Sequence, residues 1–294
     1  MRIGLIDVDG HNFPNLVPMK ISTFHTDKGD YVEWVNPLLG EYDIVYQSKV
    51  FDFTPDFNTC IKADQIIKGG TGYDHENKLP SEIENCYPDY SLYNIKNTAY
   101  GFLTRGCPRG CEFCIVSAKE GKCSKKVADL NQFWKDQKEI KLLDPNLLAC
   151  NDRIELLDQL IKSKAWIDFT QGLDVRLLDD EVIAKVQKLK IKMIHFAWDH
   201  MKDSKVIIKN LENFKKKTNL NYRKLGVYIL TNFDTTHEED LHRVYKLKDL
   251  GYNPYVMIYD RDNAPKETRH LQRWVNNRII FRSCNKFEDY KKAI

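Results

Sequence analysis

No apolar run in this chain is long enough to span a bilayer, which argues against a transmembrane helix. Its opening residues, M-R-I-G-L-I-D-V-D-G, lack the apolar stretch of a signal peptide, because acids break a short strand-like run. A regular cysteine framework is missing too. Eight cysteines without paired spacings predict reduced thiols in a cytoplasm rather than a disulfide-stapled secreted fold. Nor does one sign of charge dominate: the net charge is +3 over 294 residues, of which 42% are hydrophobic and 30% charged. Such a chain can bury one large core or two smaller ones. The balance conceals an asymmetry. Residues 1–99 hold 8 Lys/Arg against 15 Asp/Glu, a net −7, so the remainder carries +10. That supports two regions, the second mildly basic, without establishing nucleic-acid binding.

What is present is concentrated in Gly106–Cys114, G-C-P-R-G-C-E-F-C. Cys107, Cys111 and Cys114 have the spacing C-x3-C-x2-C. Pro108 fixes one backbone angle and Gly110 frees another, so the segment can curl and turn three sulfurs inward. Converging thiolates suit an iron–sulfur cluster or zinc. A structural zinc wants four ligands, and Cys123 as the fourth would give a spacing unlike the paired knuckles of zinc ribbons. Three cysteines in so short a loop cannot all pair as disulfides. Three ligands for a four-iron cube leave one iron open to a substrate or cofactor.

With Phe113 before the third cysteine and the apolar run A-Y-G-F-L-T at 99–104 ahead of it, the segment resembles the radical S-adenosylmethionine enzymes. The resemblance implies that Cys107, Cys111 and Cys114 hold a [4Fe–4S] cluster whose open iron binds S-adenosylmethionine. One electron, delivered by a donor such as flavodoxin or ferredoxin, would cleave the sulfonium. The resulting 5′-deoxyadenosyl radical would abstract a hydrogen from an unidentified substrate, with the cofactors carrying the hard chemistry. Phe113 would offer a backbone contact to the adenine. Two alternatives stand beside this reading. One is a cobalamin-dependent radical methyltransferase. The other is a non-catalytic zinc- or cluster-binding module that contacts nucleic acid.

Taken in order, residues 3–8 read as a strand, Leu16 to about Lys28 as a helix after a turn at Asn12–Asn15, and 31–35, 43–51 and 65–68 as further strands. Alternation with short connections predicts a small parallel α/β domain over 1–73, Rossmann-like in outline. It is similar to the cobalamin-binding domain that precedes many radical S-adenosylmethionine barrels. N-L-V-P-M-K-I-S at 15–22 and G-G-T-G at 69–72 carry that likeness. The region is short for that domain and has no D-x-H-x-x-G motif, so we expect a degenerate relative that binds no cobalamin. His11 and His25 read as ordinary surface or turn residues. Residues 74–98, polar and rich in turn formers, read as a linker.

From residue 99 a strand–helix period recurs. Strand-like runs fall at 99–104, 146–150, 166–170, 192–198, 225–230 and 254–259, with amphipathic helical stretches between them. Six units are too few for the eight-stranded barrel. They suit the open (β/α)6 partial TIM-type barrel of the resembled family, over 99–276, with 277–294 as a C-terminal extension that leaves little room for a substrate domain.

Chemistry in such folds gathers at the C-terminal ends of strands. Those ends offer Asn151 and Asp152, Gln171 with Arg176, Asp199, Thr231 and Asn232, and Tyr259 as cosubstrate-binding candidates. In the resembled family a G-G-E stretch follows the second strand and binds the methionine amino group; here C-N-D at 150–152 keeps an acid. Asp152 with Glu155 also reads as a capping box. Arg176 could pair a methionine carboxylate, or form an ion pair with Asp174 or Asp180. Asp199 could meet ribose or substrate, His195 reads as buried, and N-F-D-T-T at 232–236 reads equally as turn and cap. The basic run Lys215–Lys217, with Arg223 and Lys224, suits a helix C-terminus and a solvated face, and no aromatic platform is evident beside it. The other five cysteines form no second loop, which disfavours relatives with extra clusters, methylthiotransferases among them.

Overall fold

The computed structural model describes residues 1–10 and 12–292, so His11 lies outside the described residues. The backbone divides into two compact units, Met1–Gly101 with Asn131–Gln137, and Phe102–Leu130 with Lys138–Ile294. Both are α/β with parallel sheets.

The first unit runs β1 (Arg2–Asp7), α1 (Leu16–Asp27), β2 (Tyr31–Trp34), β3 (Glu41–Ser48), β4 (Lys62–Gly69), a single turn α2 (Ser81–Glu84) and β5 (Thr98–Gly101). Its sheet has the order β2-β1-β3-β4, all parallel. Asn15 starts α1 by accepting a hydrogen bond from the Val17 amide, which satisfies one of the amides a helix start leaves open. Ile3, Leu5 and Ile21 are buried between sheet and helix. Residues 74–98 are part of this unit rather than a linker, because their apolar side chains complete its core. Ile83 is buried beside Ile3 and Leu5, with Leu79 and Leu92 packed on the cluster, and Asp89 accepts from Ser22. His25 also corrects an expectation. It is buried at 3% exposure, with its ring nitrogens on Asp30 and Tyr46 at 2.7 and 3.0 Å, because it falls on the inward stripe of α1.

The second unit continues with β6 (Thr104–Arg105), α3 (Val116–Glu120), β7 (Lys125–Lys126), β8 (Glu139–Leu142), α4 (Arg153–Ser163), β9 (Trp166–Phe169), α5 (Asp180–Val186), β10 (Lys190–Ala197), α6 (Ser204–Lys217), β11 (Leu225–Thr231), α7 (His237–Asp249), β12 (Asn253–Ile258), α8 (Lys266–Asn276), α9 (Arg278–Ser283) and α10 (Phe287–Lys292). Strands β8 to β12 pair in chain order and all in parallel. One face of this sheet is apolar and buried through Ile140, Ile167, Ile194, Val227 and Val256. Each such side chain contributes roughly 1.5–3 kcal/mol on leaving water, enough to fix register against a few surface charges.

One strand lies elsewhere than expected. The run N-L-L-A-C at 146–150 is buried, yet it forms a 3-10 turn at Leu147–Ala149. The strand is the upstream E-I-K-L, where Ile140 and Leu142 alternate with Glu139 and Lys141. Apolar content in 146–150 reports burial; the period-2 alternation of 139–142 reports a strand. The expected strand over 99–104 is divided into β5 and β6. Because β8 to β12 are parallel, their C-terminal ends share one edge, and the connections from those ends carry the candidate residues.

Candidate functional site

The cysteine loop lies between β6 and β7, a two-residue antiparallel clasp that pairs Thr104 with Lys126 and Arg105 with Lys125. Gly106, at φ +88°, turns the chain out of the clasp. A Cβ there would lie 2.2 Å from the Cys123 carbonyl oxygen, so the position admits no side chain. The Cys107 amide donates to the Gly121 carbonyl at 3.1 Å, and Glu120 accepts from the Gly106 amide at 3.1 Å and from Arg105 at 2.7 Å. The Cys114 amide folds back onto the Cys111 carbonyl at 3.0 Å, with Gly110 at φ +60° just before the bend. Cys107, Cys111 and Cys114 are all half-buried free thiols. Burial, then Asp199 and the other two sulfurs, pushes the Cys111 thiol up, while Arg176 opposes them. The three sulfurs, one carboxylate and one guanidinium therefore share an electrostatic neighbourhood.

Two residues between β8 and α4, which spacing alone did not single out, hold this loop to the sheet. Asp144 is buried and accepts from the Leu103 amide at 3.1 Å and from the Thr104 amide and hydroxyl at 2.5 and 2.7 Å. Burial raises its carboxyl to about 6, against those donors. Asn146 directs its amide nitrogen to both the Cys107 sulfur and Asp174, each at 3.4 Å. Asp174 also accepts from Arg109 at 2.6 Å and Arg176 at 2.7 Å. Burial alone would raise the Asp174 carboxyl, but the two guanidiniums outweigh it and hold it below the usual range. Thus Asp144 and Asn146 tie the loop to the β8 end, and Arg109 ties it to the β9 end.

The remaining strand ends converge in part. Arg176 is an ion pair: Asp174 and Asp203 occupy its guanidinium, whereas Asp180 pairs with Lys217. Asp199, after β10, accepts from the Leu230 amide at 3.3 Å, and burial pushes its carboxyl up. It is set in place by Arg243, a fully buried arginine of α7. That guanidinium donates to the carbonyls of Trp198, Asp199 and Leu230 at 2.7–2.8 Å and pairs with Asp240, pinning the ends of β10 and β11 together. Phe113 meets His200 at 5.7 Å and Phe233 at 5.4 Å between ring centroids, and Phe233 meets Tyr259 at 5.0 Å. An aromatic row therefore runs from the cysteine loop to the end of β12.

Several expected ligand positions are occupied by structural work. Thr231 is buried, with its hydroxyl on the Met257 carbonyl at 3.1 Å. Asn232, at φ +63°, donates to the Tyr259 carbonyl at 2.8 Å and makes the turn. Asn151, Asp152 and Gln171 are exposed. Asp152 makes no side-chain cap: its carboxylate lies 3.7 Å from the Cys150 thiol, and Glu155 is drawn to Lys126. The capping box forms instead at Thr236 and Glu239, where N-F-D-T-T was expected to turn and cap. His195 is half-buried, stacked on Tyr228 at 4.7 Å, with Nδ1 facing the Phe169 carbonyl.

In chemistry, though not in a closed arrangement, the donor set is that of a thiolate-held cluster: unpaired, half-buried cysteines on one loop, with a neutral N–H donor at one sulfur. Cys123 is exposed, its thiol near the Ser124 carbonyl. Among the described residues no group of three or more His, Cys, Asp or Glu side chains is placed so that it could hold a metal ion, so the three sulfurs stand apart here.

No protein-family model matches the chain. It is similar to a CDK5RAP1-like protein of Oryza sativa subsp. japonica, 32% identical over 93 residues. That match covers 29% of this chain and 15% of that protein. Among the described residues no helix is long and apolar enough to cross a membrane.

Proposed function

We propose that this protein is a radical S-adenosylmethionine enzyme whose second unit forms an open (β/α)6 partial barrel. Three free, half-buried cysteines on one loop, tied to the C-terminal ends of parallel strands, carry this reading. Cys107, Cys111 and Cys114 would hold a [4Fe–4S] cluster. Bound there, the cluster with S-adenosylmethionine would supply one-electron cleavage of the sulfonium and hydrogen abstraction from a substrate.

The chain's own residues would prepare that chemistry. Asn146 donates to the Cys107 sulfur, which moderates the charge that accumulates on a thiolate and fixes its direction. Arg109, Asp174 and Arg176 form a charged frame beside the loop. Phe113 would carry the cosubstrate-facing segment, braced by ring contacts through Phe233 to Tyr259. Asp199 offers a buried acceptor held by Arg243. Arg176 acts as a positioning residue, because Asp174 and Asp203 hold its guanidinium.

A flavodoxin- or ferredoxin-type donor would deliver the electron. The eight unpaired cysteines support a reducing compartment such as the cytoplasm. The first unit is proposed as a trimmed relative of cobalamin-binding domains, with no cobalamin step. The test is anaerobic incubation of reconstituted protein with S-adenosylmethionine and dithionite. 5′-Deoxyadenosine and methionine are expected from the wild type and from none of the three Cys→Ser variants. No product from fully iron-loaded wild type would contradict the proposal.

A further inference from the structure

The second unit is electrically polarised along its strands. Each connection leaving a strand C-terminus (143–152, 170–179, 198–203, 232–236 and 259–265) carries at least one aspartate. The connections entering β9 to β12 (164–165, 187–189, 218–224 and 250–252) carry no acid and hold Lys164, Lys188, Arg223 and Lys224, whereas the one entering β8 (127–138) keeps Asp129 and Asp136. The helices that lead into them add Lys162 and Lys216 in their last turns, while Lys185 pairs with Asp158, Lys217 with Asp180, and Lys215 donates to the Leu250 carbonyl. Helix dipoles explain the last-turn lysines and also Lys164 and Lys188, which sit at or just past a helix C-cap, but not Arg223 and Lys224.

Aromatic rings come to this edge with the charge. Trp166, the first residue of β9, is 44% exposed and has the Lys224 ammonium 4.9 Å from its ring centroid. Tyr222 is 41% exposed and lies between Arg223 and Arg282, whose guanidinium carbons are 5.9 and 5.6 Å from its ring. Asn253 at the start of β12 holds the Tyr222 and Leu225 carbonyls at 2.5 and 3.1 Å, so this tyrosine is anchored to the sheet. Among the described residues no carboxylate pairs with Arg223, Lys224 or Arg282. Glu139, next to Trp166 in the sheet register, is already neutralised by Lys192. The expectation that no aromatic platform accompanies the basic run is therefore corrected. The ring nearest Lys224 comes from β9, distant in sequence, and a basic α9 residue supplies a second cation over Tyr222.

We propose that this N-terminal strand edge binds single-stranded nucleic acid. The lysines and arginines would track phosphates, and Trp166 and Tyr222 would stack on unpaired bases. Exposed flat rings flanked by unpaired cations match a chain that alternates negative charge with π faces. A lipid surface would instead be met by an apolar stripe beneath the lysines. The inference is independent of the cluster, because the edge lies opposite to the one that carries the cysteine loop.

The test uses the full chain and a labelled oligouridylate of about 12 nucleotides in fluorescence anisotropy, from 50 to 200 mM salt. Binding is expected to weaken steeply with salt. W166A is expected to lose about tenfold in affinity through lost base stacking, while W166F retains binding. R223A/K224A should weaken binding and flatten its salt dependence. Circular dichroism and 5′-deoxyadenosine formation should be the same in these variants as in wild type. Equal affinity for heparin together with an indifferent W166A would reduce the edge to a generic polyanion surface and overturn the proposal. Sedimentation with phosphatidylserine vesicles in place of oligonucleotide binding would overturn it as well.

Discussion

Asp144 is held by neutral donors, the Leu103 and Thr104 amides and the Thr104 hydroxyl, whereas Asp174 is held by two guanidiniums. Their pH behaviour should therefore be opposite. Asp144 has a folded value raised to about 6 from the ordinary 3.8, so the folded protein binds its proton more tightly than the unfolded chain. Its contribution is greatest below about pH 4 and is lost as pH rises to about 6, a change of about 3 kcal/mol. Denaturation of wild type and D144N across pH 4–7 should show their stability difference falling through that window and level above it. Asp174, held low, contributes above the ordinary carboxylate range and loses that contribution as pH falls through its depressed folded value. D174N takes the carboxylate from Arg109, leaves Arg176 with Asp203, and should cost about 2–3 kcal/mol at neutral pH, measured by urea denaturation. Of the candidate-site residues, the cysteine loop was legible from spacing alone, and the Arg176–Asp174 pair was named as an alternative. Asp144, Asn146 and Arg109 were not, because each acts through a partner up to 65 residues away. Arg243 was the least legible of all: a buried arginine on an amphipathic helix looks like any solvent-facing cation until the carbonyls it meets are known.

At the scale of single elements, the two candidate capping boxes make a paired prediction. T236A removes the hydroxyl that accepts from the Glu239 amide and should cost about 1 kcal/mol. D152A, at a helix start whose side chain caps nothing, should change stability by less than about 0.5 kcal/mol. Thermal denaturation of both variants distinguishes them. Sequence could place either box, since both have an acid three residues after a capping type. What decides is competition: Lys126 draws Glu155 away, and among the described residues no cation pairs with Glu239, which accepts from the Thr236 amide. The same logic explains the displaced strand. Residues 146–150 are as apolar as any strand, but Asp144 and Asn146 direct their polar groups to the cysteine loop, and a tight turn there serves both. The helices and the strands β9 to β12 followed their periodicities closely, because each buries one continuous apolar stripe. The loop itself should be intolerant at its first turn. G106A places a methyl against the Cys123 carbonyl in a backbone region that side chains avoid, and iron content after reconstitution should fall several-fold.

At the scale of the whole molecule, the two edges of the β8–β12 sheet in the second unit differ in charge and in the side chains they carry. The aspartate-rich edge carries the three thiols, the charged frame of Arg109, Asp174 and Arg176, and the aromatic row to Tyr259. The basic edge carries Trp166 and Tyr222. Strand order and helix positions make that polarity inevitable once each connection has its charge, and the charges are written in the connections. Pairing of particular rings with particular cations required the fold. The central claim is that Cys107, Cys111 and Cys114 leave one iron of a four-iron cluster open. Electron paramagnetic resonance of the anaerobically reconstituted, reduced protein, with and without S-adenosylmethionine, tests it most directly. A reduced-cluster signal that changes when the cosubstrate is added is the predicted result. A signal that the cosubstrate leaves unchanged, or zinc in place of iron by metal analysis, would contradict the account.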